Sequence, residues 1–216
     1  MRKRSGQASR GYSVLELLVA MAIFTVFSAT LFQVLVSMQA AQDRQDQHLT
    51  RLQSARGALY QVLHDLRLVG YPARNNFSSP SSPGLLADGF LEATPNSLVF
   101  EADRDGDGRV ERIEYRVAAD QRSIRRRIFL KRMDGSVIGP ISSQDMFVRD
   151  LANATLAAPP PVFSWDSDPA SPKPFPNNIT LVYVTLAIEV RLDPVDPSIR
   201  KIIHLTGAAR RLNPVQ

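Results

Sequence analysis

The chain has no cysteine among its 216 residues. That excludes disulfides, thiolate metal sites and cysteine nucleophiles, and leaves packing or ions to stabilise it in any oxidising compartment. Between Tyr12 and Val69 there is no proline and only one glycine, Gly57, so nothing in that stretch interrupts a helix. Net charge is also scarce beyond the N-terminus. Arg2, Lys3, Arg4 and Arg10 supply +4 of the formal +5, and the remaining 22 basic and 21 acidic residues nearly cancel. The sequence pI of about 9.9 thus reflects a short basic tag, and no nucleic-acid partner is expected. Phosphate loops, nucleophile–base constellations, zinc motifs and internal repeats are all missing, so no enzymatic activity is expected. His48 and His64 fall on one helical stretch but sixteen residues apart, and His204 stands alone, so the three histidines make no metal site.

What is present begins with a long apolar run. Val14–Val36 is interrupted only by Glu16, Gln33 and a few hydroxyl residues. As helix it would reach ~35 Å, enough to cross a bilayer core of ~30 Å. It is longer than the ~7–15 residues of a cleavable secretory segment, and a basic tag before it holds the N-terminus in the cytoplasm. The helical pattern continues. Leu52, Ala55, Leu59, Val62, Leu66 and Val69 form an apolar stripe, opposed by Arg44, Asp46, Arg51, Arg56, His64 and Arg67. Gly70-Tyr71-Pro72 should end the helix, giving one helix from Tyr12 to Val69. Glu16 is costly in such a segment, by ~3 kcal/mol. It could sit at the interface of an ordinary signal anchor, near the positive helix N-terminus.

Residues 75–84 read as a polar loop, after which the period changes to two. Strands are expected at 97–102, 110–117, 123–132, 179–192 and 200–212, joined antiparallel by short turns. Arg125-Arg126-Arg127 would alternate faces on a solvated edge strand. Residues 157–178 are proline-rich and read as a surface loop. Asn76, Asn153 and Asn178 fit the glycosylation sequon, a motif common by chance.

Residues Arg10-Gly11 followed by Tyr12-Ser13-Val14-Leu15-Glu16 and the apolar helix resemble the class III signal of type IV prepilins and type II secretion pseudopilins. The resemblance implies cleavage between Gly11 and Tyr12 by the prepilin peptidase, and N-methylation of Tyr12, which stands where phenylalanine is usual. It also makes Glu16 the glutamate at the fifth mature position. A new α-amino group on a neighbouring subunit could then pair with Glu16 inside an apolar bundle and select axial register. Residues 55–60, 65–71, Phe100 with Asp105-Gly106-Asp107-Gly108 and Glu114-Tyr115-Arg116, and 206–213 resemble PilW-type minor pilins. That implies an α+β pilin fold: leader 1–11, transmembrane and assembly helix 12–36, amphipathic continuation 37–70, and a periplasmic antiparallel β domain over 71–216. The implied partners are the prepilin peptidase, other pilin or pseudopilin subunits, the inner-membrane assembly platform and, before assembly, the lipid bilayer. The implied role is a minor type IV pilin. The rivals are a type II secretion pseudopilin and a signal-anchored periplasmic calcium-binding module that never polymerises.

The calcium alternative rests on residues 103–114, DRDGDGRVERIE, which match D-x-[DN]-x-[DN]-G-x5-E. Asp103, Asp105, Asp107, the Arg109 carbonyl, Glu111 and Glu114 would be the ligands, with Gly108 at the turn. The flanking strand patterns favour a hairpin turn instead, for which Asp and Gly are equally apt.

Overall fold

The computed structural model describes residues 13–72, 86–171, 173–191 and 200–212. The expected leader, Gly11 and Tyr12, the loop at 75–84 and the sequon at Asn76 lie outside these. Contacts divide the chain into two units, Met1–Gln47 and His48–Gln216. One helix, α1 (Val14–Arg67), contributes to both.

In the first unit α1 presents an apolar surface. Val14 and Phe24 are among many side chains left open, at 75% and 69% exposure. An 18-residue window of α1 has a mean hydropathy of 2.2 and no burial, long and apolar enough to cross a membrane. Three of its hydroxyls bond back to the helix itself. Thr25, Thr30 and Ser37 donate to the carbonyls of Ala22, Phe27 and Val34 at 2.8, 2.7 and 2.7 Å. Such back-bonding satisfies polar groups within the helix, as a hydrocarbon surround demands.

In the second unit the remainder of α1 packs on two antiparallel sheets. Strands β1 (Phe90–Thr94), β2 (Ser97–Ala102), β3 (Glu111–Val117), β4 (Ile124–Lys131) and β5 (Val137–Val148) form one sheet in sequence order. Strands β6 (Phe163–Ser167), β7 (Ile179–Arg191) and β8 (Arg200–Arg210) form the other. The expected stripe is the packing face: Ala55, Leu59, Val62, Leu66 and Val69 are buried, Leu52 half-buried. They meet Leu98, Phe100, Ile113 and Tyr115 of the first sheet and Val182, Val184 and Leu186 of the second in one core. Each large apolar side chain so buried stabilises the fold by about 1.5–3 kcal/mol. Gly207 of β8 lets the helix approach. A Cβ there would stand 2.5 Å from Leu63 Cδ1.

Several boundaries differ from expectation. The regular helix stops at Arg67 because Leu68–Gly70 turn so that Gly70 N–H reaches Glu101 O at 2.9 Å. β4 is an inner strand, not an edge, since β5 pairs along it. The proline-rich stretch is not loop throughout. Val162 and Phe163 are buried, and Phe163–Ser167 is a strand paired with β7.

Candidate functional site

The N-terminal feature with chemical character is Glu16, in the first turn of α1 and exposed. Ser13 Oγ accepts from Leu15 N–H at 3.3 Å, an N-terminal cap that leaves the Glu16 carboxylate uncommitted. Glu16 is the lone acidic residue in the exposed apolar stretch of α1 from Val14 to Val36.

The acidic loop joins β2 to β3. Asp103 ends the β2 side, and its Oδ1 and Oδ2 accept from Gly106 and Gly108 N–H at 2.8 and 3.1 Å. Gly108 has a φ of 82°, in the region where L side chains are strained. Glu111 starts β3 and its Oε2 accepts from Arg104 N–H at 3.0 Å. Asp103, Asp105 and Glu111 can each direct one oxygen to a common point, those atoms lying within 4.8 Å of one another. Burial pushes the Glu111 carboxyl above the usual carboxylate range; the Arg104 amide opposes this and the charge of Asp105 adds to it. The side chains of Asp107 and Glu114 are not brought into this group. Asp107 accepts from Arg109 N–H at 2.8 Å on the exposed side of the loop. Glu114 lies further along β3, opposite Val99 and Arg127, and pairs with Arg116 Nε. A calcium ion takes 6–8 oxygens, commonly with a bidentate glutamate at the twelfth place, and of the six expected ligands the carboxylates of Asp103, Asp105 and Glu111 converge here.

Two buried ionic groups escaped sequence reasoning. Asp65, fully buried on α1, accepts from Tyr115 Oη at 2.6 Å, Arg126 Nη2 at 2.7 Å and Gln61 Nε2 at 2.8 Å. Arg126 Nε also donates to Tyr115 Oη at 2.8 Å. Burial, followed by the nearby Asp65 charge, pushes the Tyr115 hydroxyl well above its usual range, so it stays a donor. Glu101, fully buried on β2, takes Lys131 Nζ at 2.7 Å and Arg112 Nη2 at 3.0 Å. Both groups are structural locks. The available signal was alternation: the middle arginine of Arg125-Arg126-Arg127 had to face opposite to its neighbours. Asn153, a sequon residue, is buried, with its amide bonded to Pro160 O, Thr185 O and Ala187 N–H.

The family described as the prokaryotic N-terminal methylation motif matches residues 6–32. No curated protein and no solved structure matches the chain. The matched motif and the exposed apolar helix make the N-terminal segment type IV prepilin-like, a pilin- or pseudopilin-like signal of the kind that prepilin peptidase processes.

Proposed function

We propose that this protein is a PilW-like minor type IV pilin. Anchored in the inner membrane by α1 with its β domain in the periplasm, it is cut between Gly11 and Tyr12 and methylated on Tyr12. It then passes through the assembly platform into a filament that it primes or caps. The observation that carries the reading is Glu16, a lone carboxylate on an exposed apolar helix inside the matched motif. Once the helix leaves lipid, an unpaired charge among apolar helices is unfavourable, and a neighbour's new α-ammonium is a suitable partner. The looser likeness of residues 55–60, 65–71 and 206–213 to PilW-type chains supports the minor-pilin assignment over a secretion pseudopilin. For the acidic loop the proposal is narrower: calcium, if held, would be held by Asp103, Asp105 and Glu111.

Mass spectrometry of filaments sheared from cells that express the chain tests this. The expected species begins at Tyr12 and carries one methyl group. Cleaved protein absent from surface fibres, with secretion lost on deletion, would indicate the pseudopilin; an uncleaved membrane form would indicate a plain anchor.

A further inference from the structure

Lys131 closes β4, and its side chain is only 4% exposed. Nζ lies 2.7 Å from Glu101 Oε2 on β2, 3.0 Å from Asp88 Oδ2 just before β1 and 3.0 Å from Leu86 O. An amine therefore meets two carboxyl groups from different segments at one point, and the two are held differently. Glu101 is fully buried and receives three donors: Lys131 Nζ and the Asp88 N–H on Oε2, the second at 3.1 Å, and Arg112 Nη2 on Oε1. The Asp88 side chain is 59% exposed, and Lys131 is the one group bonded to its carboxyl among the described residues.

Those differences assign different roles. Glu101 is fixed on both oxygens, so its carbon is not open to attack. Its Oε2 touches both the amine and the amide of the residue that bears the second carboxyl, which is where a proton carrier must stand. Asp88 keeps one oxygen unbonded and open to solvent, so its carboxyl can turn its carbon to Nζ and lose an oxygen as water. An ammonium and a carboxylate do not condense when free in water. Held in contact they react as one molecule, with an effective concentration on the order of 10⁵–10⁸ M.

We propose that Lys131 and Asp88 condense to an isopeptide bond, with Glu101 as the proton carrier. Lys131 passes one proton through Glu101 to the Asp88 carboxylate, which leaves a neutral amine and a carboxylic acid. The amine then attacks Asp88 Cγ and forms the N–C bond. Glu101 takes a second proton from that nitrogen and delivers it to the Asp88 hydroxyl, the Cγ–O bond breaks, and water departs. The ammonium and carboxylate thus become one amide and one water, and no oxidant or activating group is required. The bond joins positions 43 apart and ties the segment before β1 to β4, across β2 and β3. It closes a loop that is otherwise free in the unfolded chain. The inference is independent of the filament assignment.

Peptide mapping of the full chain, purified in detergent micelles, is the test. A protease digest should contain a branched peptide that joins Asp88 to Lys131 and is lighter than its two parts by one water. Lys131→Arg and the exposed Asp88→Ala should lack it. Both should also migrate more slowly than the natural chain in denaturing electrophoresis, where a closed loop is more compact. Glu101→Gln keeps the shape of the carboxyl but cannot carry the proton. In Glu101→Gln chains with native circular dichroism, the cross-linked fraction should fall at least about tenfold. Two unbranched peptides from the natural chain, a branch at Glu101 instead of Asp88, or an undiminished branch in folded Glu101→Gln would overturn the proposal.

Discussion

Asp65 lies on the helix face that packs on the sheets, and its oxygens bind groups from β3 and β4 as well as from its own helix. Replacing it by leucine would leave Arg126 buried without a counter-charge, and such losses cost about 3–5 kcal/mol. Chemical denaturation should show that loss for Asp65→Leu and a much smaller one for Asp65→Leu with Arg126→Met, where neither charge remains. A double variant no more stable than the single would show that the pair is not what matters. The acidic loop poses a different question at the same scale. Its Asp103 oxygens already receive two loop amides, so the turn is held by its own hydrogen bonds. Any rise in melting temperature at millimolar calcium should survive Glu114→Ala and disappear in Glu111→Gln. Dependence on Glu114 would restore the six-ligand arrangement.

At the scale of elements, the strands that periodicity revealed were β2, β3, β4, β7 and β8, and those it missed were β1, β5 and β6. All three are sheet edges. An edge strand pairs on one side only, so it needs neither uninterrupted donors nor regular alternation. β5 accordingly contains Pro140 and a largely exposed run, and proline within sheets is confined to such positions. β6 lay hidden among prolines because five residues between turns carry little pattern of their own. Gly207 belongs to this scale as well, since it sets how close α1 comes to β8. Gly207→Val should cost about 1–3 kcal/mol, because the displaced atom is the end of the Leu63 side chain and gives way with some repacking. A shifted denaturation midpoint would register it, and an unchanged midpoint would mean that the helix is not held at that distance.

For the molecule as a whole, the apolar half of α1 is compatible with lipid and the half from His48 onward is built into a folded unit. Glu16→Ala removes a charge that disfavours membrane insertion by roughly 2.5–3.5 kcal/mol, so the variant should remain in the membrane fraction. It should nevertheless be lost from sheared filaments, because no partner for the incoming α-ammonium remains. Normal incorporation of the variant would break the link between Glu16 and assembly.

The long helix, the apolar stripe on its second half and most strands were legible from the chain alone, because each rests on neighbours in sequence or on a short period. The loop's three-carboxylate group was half legible: the acids were evident, and the placement of Glu114 beside Arg116 depended on β3 continuing as a strand. Partner choice for Asp65, Glu101 and Arg211 was not legible at all. The Asp65–Arg126 pair spans 61 positions and Arg211 reaches back 142 to Val69, distances over which no local pattern operates. Only the packing of α1 against two sheets brings those groups together, and once they are buried their charges must be matched where they stand.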